Sequence, residues 1–103
     1  MTPEQRAERA RLAKQALDNF LAPAFTELDN AYTGRLAAVC ASEPWATNKI
    51  AALANATRIV AEVRAQIEAV VADGDVARRE IDHAKRIEQL SPAKKRLLSI
   101  GSH

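Results

Sequence analysis

Few residues in this sequence could do chemistry. The histidines are His83 and His103, and the one cysteine is Cys40. Asp82-His83, with Arg79 and Arg86 close by, is the nearest approach to a metal or proton-transfer site. Metal sites need donors that converge, and neighbours on a helix point about 100° apart, so Asp82 and His83 cannot share one ion. The expectation is a surface histidine, with no metal and no cofactor. Cys40 follows Val39 on an apolar helical face, which fits a small core residue. A single cysteine excludes an internal disulfide and any multi-cysteine metal site. Gly34, Gly74 and Gly101 stand apart, leaving no glycine-rich loop for phosphates, and no Ser/His/Asp set stands out. The chain therefore reads as non-enzymatic.

Charge is more informative. The net charge of +2 hides an uneven layout: residues 1–17 carry four basic and two acidic side chains, residues 18–77 four and eight, and residues 78–103 seven and three. Basic ends that flank an acidic middle point to an anionic or acidic partner at the ends. Arg78, Arg79, Lys85 and Arg86 recur at seven-residue spacing and share roughly one side of a helix, a footprint suited to nucleic acid. No helix-turn-helix signature and no interleaved aromatics accompany them. Contact with DNA would be to its backbone, weak, non-specific and strongly salt-dependent. Lys94, Lys95 and Arg96 extend this surface. With Leu97, Leu98 and Ile100 beyond them, the same stretch also reads as a short amphipathic peptide that docks on a partner protein.

These residues must be positioned by helices, because every segment has helical periodicity and none alternates like a strand. The 103 residues fit a single all-α domain. Thr2-Pro3-Glu4-Gln5 is a capping-box arrangement that opens a helix over 3–19. Pro23 opens a second over 23–41, with Phe25, Leu28, Tyr32, Leu36 and Val39 on one stripe. Ser42 or Glu43 caps a long third helix over 44–72, which the short connector forces back antiparallel to the second. Asp73-Gly74-Asp75 reads as a stop and restart, with Gly74 in a left-handed position. A fourth helix then covers 75–90, and a basic tail 91–100. Gly34, inside the second helix, reads as a close helix contact or a slight bend.

The stretch from Trp45 to Asp73 has no proline or glycine and can be written in heptads. Leu53, Val60 and Ile67 fall on one seam position, and Ala56, Val63 and Val70 on the other, a coiled-coil pattern rich in β-branched residues. Ile50, Ile59 and Val71 add a second face. Arg58–Glu62 and Arg64–Glu68 pair along the outer face for a few tenths of a kcal/mol each. Hydrophobic residues make up 48% of the chain, but much of that is alanine and the aromatics are only Phe20, Phe25, Tyr32 and Trp45. So thin a core leaves two arrangements. Helices one and four could cover the exposed face in a self-contained bundle, or the seam could meet another copy. The second supplies the missing burial, so a homo-oligomer built on a long antiparallel helical hairpin with flanking shorter helices is expected. No signal peptide opens the chain and no 18-residue apolar run occurs, from which a soluble protein of the cytoplasm, with no membrane partner, is expected.

The segments "LDNFLAPAFTELDNAY" and "IAALANATRIVAEVRAQIEAVVADGDVARREI", joined by a connector with Trp45, resemble small all-helical proteins of tailed-phage, prophage and gene-transfer-agent head and packaging modules. The likeness covers roughly residues 12–88, through the Leu21-Ala22-Pro23-Ala24-Phe25 start of the second helix, Val63-Arg64, and the exit from Val70 to Ala77. The class most similar is the terminase small subunit. The resemblance implies a ring-forming hairpin over the second and third helices, DNA binding, and a C-terminal segment, here 91–100, that recruits the large terminase subunit in a bacterial host cell. Most such proteins carry an N-terminal helix-turn-helix, for which the first twenty residues here are too short, so only weak recognition of DNA is implied. Two other functions compete: a different phage-encoded helical interaction protein, in head assembly or inhibition of a host system, and a non-specific DNA-binding module.

Overall fold

The computed structural model describes residues 1–90, and the basic tail with Lys94, Lys95, Arg96, Leu97 and Leu98 lies outside them. The described residues form α1 (Pro3–Ala16), a π-helical turn (Leu17–Leu21), α2 (Ala22–Ser42) and α3 (Thr47–Glu88), with no strand among them.

α1 begins as its sequence predicts. The Thr2 hydroxyl oxygen accepts from the Gln5 backbone N–H at 3.1 Å, and the Gln5 side chain accepts from the Thr2 N–H at 2.9 Å. These two bonds satisfy N–H groups that the first turn of a helix leaves without partners. The break expected between residues 19 and 23 does not occur. A proline inside a helix removes one hydrogen bond and drives its ring against the carbonyl four residues earlier. Here the turn ahead of Pro23 widens to the π pattern, with the Ala22 N–H donating to the Leu17 carbonyl. Pro23 thereby falls in the first turn of α2, where its missing N–H costs little, and the helical path runs on.

α2 ends one residue beyond expectation. Neither Ser42 nor Glu43 caps the next helix: Ser42 Oγ donates to the Ala38 carbonyl, and the Glu43 carboxylate receives Lys49 Nζ at 3.3 Å. The chain reverses through Glu43–Ala46, held by the Ala46 N–H on the Glu43 carbonyl at 2.8 Å. α3 then runs 42 residues, straight through Asp73-Gly74-Asp75. The expected third and fourth helices, 44–72 and 75–90, are one. Gly74 has no positive φ. It is buried, and a Cβ built on it would lie 2.1 Å from the Ala10 Cβ. The glycine is there so that α1 can approach, and the neighbouring arm supplies the order that glycine withholds from a helix.

α1 and α2 both pack along α3, with Ala10 at Gly74 near one end and Phe25 at Val60 nearer the turn. The molecule is 75 Å long and 18 Å thick, with a radius of gyration of 22.7 Å. A compact domain of this length would have about 13 Å. One layer of two helical arms cannot enclose much. Among the described residues Ala10, Phe25 and Ala77 are the buried apolar ones, and no large side chain is fully buried. The closed bundle that would have covered the remaining face is not formed by the described residues.

Gly74→Ala tests the close approach. In a free helix the change stabilises by about 1 kcal/mol. Here overpacking costs about 1–3 kcal/mol, so thermal denaturation should show a lower melting temperature. The double variant Ala10→Gly, Gly74→Ala moves the methyl to the other arm and should recover most of the loss.

Candidate assembly and nucleic-acid interfaces

The open end of the molecule is fastened by a charge cluster that the linear sequence does not reveal. Arg6 Nη2 and Nε donate to the two oxygens of Asp73 at 2.6 and 3.0 Å, and Nη1 donates to Glu80 at 2.8 Å. The bidentate fork fixes both distance and rotation between the arms. One turn on, Ala10 meets Gly74, and Ala77 is fully buried. Arg6 meets Asp73 and Glu80, and Ala10, four residues further along α1, meets Gly74. The available signal is a charged and a small residue four apart on each arm, Arg6–Ala10 and Asp73–Ala77, which competes with the helix-stop signal of Asp73-Gly74.

Hydrogen bonds from Arg6 hold the Asp73 carboxyl below its ordinary range, against a smaller desolvation effect. The hydrogen bonds to Asp73 and then Glu80 raise the Arg6 guanidinium, which stays charged throughout. Arg11 lowers Glu8 and Arg78 lowers Asp75 in the same manner. A lowered carboxyl contributes stability that is complete above its unfolded value of about 3.9 and is lost as pH falls through the folded one. Melting temperature should therefore hold steady down to about pH 4 and fall below it. Asp73→Asn should be less stable at pH 7, with a shallower decline on acidification than the wild-type chain.

Arg78, Arg79, Lys85 and Arg86, expected on a separate fourth helix, lie exposed on the final turns of α3. Arg78 pairs with Asp75, whereas Arg79, Lys85 and Arg86 have no ion-pair partner among the described residues. α1 adds charge beside them: Arg9 acts on Asp73 and Lys14 on Asp75 through space. Two elements thus build the basic end.

The heptad seam is divided by the fold. Leu53, Val60 and Ile67 are half-buried, as are Ala56 and Val70. Val63 and Ile59, four residues apart and so on one flank of α3, each remain 46% exposed. Phe20, 61% exposed, projects from the π-helical turn, and Leu12 and Leu28 are also exposed on this arm. The outer-face pairs form as expected, Arg58 to Glu62 at 2.6 Å and Arg64 to Glu68 at 3.1 Å. Trp45 stands 72% exposed at the chain reversal. Between α2 and α3 an open cleft of about 230 Å³ is lined by Phe25, Thr26, Asp29, Val60, Ala61 and Arg64.

Two smaller expectations change. Cys40 is exposed and not a core residue, because Val39 takes the position toward α3 and the next side chain turns away. Gly34 makes no close helix contact, since a Cβ there would meet nothing within 4 Å. His83 is exposed, and among the described residues no three of His, Cys, Asp and Glu converge as metal ligands.

No family model matches the chain, and neither a curated protein nor a solved structure does so. No helix of the described residues is long and apolar enough to cross a membrane.

Proposed function

We propose that this chain is a non-enzymatic assembly subunit, joining copies of itself through the apolar flank of α3 and offering its basic end to DNA. In its finer form the reading is a DNA-packaging adaptor resembling a phage terminase small subunit, with the antiparallel hairpin as the unit of assembly and the tail at 91–100 recruiting the large subunit. One observation carries it: Ile59, Val63, Phe20, Leu12 and Leu28 are large apolar side chains left exposed, while Ala10, Phe25 and Ala77 make up the buried core.

Full burial of a Val, Leu, Ile or Phe side chain stabilises by about 1.5–3 kcal/mol. These five are already partly covered, so each has on the order of 1 kcal/mol left to give. A neighbouring copy with the same need is the partner that gains as much as it provides. The basic end supports the DNA component, because Arg79, Lys85 and Arg86 point outward with no carboxylate of the described residues pairing them.

Val63→Asp separates assembly from folding. The side chain is 46% exposed in the single chain, so helical circular dichroism should persist. Light scattering should find the monomer mass, because an unpaired charge cannot enter an apolar contact. An oligomer that survives this change would place the contact elsewhere. For DNA, a mobility shift across a salt series should show weak, sequence-independent binding. Arg79, Lys85 and Arg86 changed together to Ala should lower affinity and flatten the salt dependence by up to about 0.9 per cation removed. Binding that ignores salt, or no binding by the assembled protein, would favour the DNA-independent interaction protein.

A further inference from the structure

An exposed tryptophan at a tight chain reversal is unusual, because the indole is the largest apolar surface any side chain offers. Trp45 is 72% exposed, beside Pro44, and is not among the residues that line the cleft between the arms. Some way along α3 the same chain leaves a cleft of about 230 Å³ between Phe25, Val60 and Ala61. Pockets for drug-sized ligands begin near about 300 Å³, so this cleft suits one bicyclic side chain better than a cofactor.

Its polar rim matches an indole as well. Asp29 presents a carboxylate that can accept the indole N–H, whose only capacity is to donate. The Arg64 guanidinium, steadied by Glu68 at 3.1 Å, can lie over the ring face. Trp45 cannot reach this cleft in its own chain. Val60 is 15 residues further on, roughly 20 Å away at the helical rise.

We propose that Trp45 of one copy seats in the Phe25–Val60–Arg64 cleft of a second copy. The contact rests on the self-assembly reading above and specifies its geometry: neighbouring chains are offset along α3 by about four helical turns or less. Each chain carries one such ring and one such cleft, so every copy both gives and receives. The exposed flank at Ile59 and Val63 lies at the same level of α3 as the cleft, so the two contacts fall within one interface. A buried tryptophan in a pocket of this kind is the usual anchor of an interface, with weaker contacts around it.

Trp45 is the chain's only tryptophan, so its fluorescence reports the contact directly. The full chain is diluted while light scattering gives the mass at each concentration, and emission and acrylamide quenching are read alongside. The assembled protein should emit at shorter wavelength and be quenched several-fold less than the dissociated chain. Ala61→Phe fills the cleft from an exposed position without touching the arms' packing. It should return the emission to the exposed value and raise the dissociation concentration at least about tenfold, as should Trp45→Ala with helical circular dichroism unchanged. An assembled protein whose tryptophan is as exposed as in the monomer overturns the seating of Trp45 and leaves self-assembly standing. So does an Ala61→Phe oligomer whose emission stays shifted. A chain that remains monomeric at every concentration overturns both.

Discussion

Two helices lying side by side can cover only one stripe of each other, and almost every property of this molecule follows from that limit. With a single layer of two arms, a residue can turn fully away from water only where the backbones come very close. That happens at Ala10, Gly74 and Ala77, where the side chains are small or missing. Elsewhere, Phe25 apart, the facing residues, among them Leu53, Val60 and Ile67, stop at half-burial. The flank carrying Ile59 and Val63 is left about half open, each residue 46% exposed. Burial is the main force that opposes the conformational entropy of an ordered chain, and a fold of this kind leaves much of its apolar surface open.

The two ends of the molecule divide the work. At the open end the arms are locked in register by Arg6, whose fork grips Asp73 and Glu80 across more than sixty residues of sequence. The lock depends on charge more than on burial, which suits an end where α1 is polar and the surrounding surface basic. Toward the chain reversal the arms are joined by apolar contact around Phe25, and the surface there offers Trp45, the cleft and the exposed flank. A charged end and an apolar end thus coexist in a chain with a net charge of only +2.

Local signals were legible in the sequence and signals set by the other arm were not. The capping box at Thr2 and Gln5 and the Arg58–Glu62 and Arg64–Glu68 pairs each involve residues within about one turn, and each forms as read. Pro23 and Gly74 carry the strongest local stop signals in the chain, and the helical path runs on through both. Pro23 is absorbed by a widened turn, and Gly74 serves an approach from 64 residues away. The Arg6 cluster is hidden for the same reason: nothing near Arg6 announces its partners, 67 and 74 residues away. For the interface, the heptad pattern identified the apolar positions on α3. It could not say which of them the chain itself would cover, because that depends on where α1 and α2 lie. Val63 and Ile59 became distinct from Val60 only once the arms were placed.

The central claim is that neighbouring copies supply stability that one chain lacks, and mass action tests it without any substitution. Anything that binds the folded state raises the melting temperature as its concentration rises, and here the ligand is the protein. The midpoint of thermal unfolding, followed by circular dichroism from about 1 to 100 µM chain, should climb steadily with concentration. A midpoint that does not move across that range, in a protein whose mass in solution stays at 11.2 kDa, would show the thin core to be sufficient alone and contradict the account.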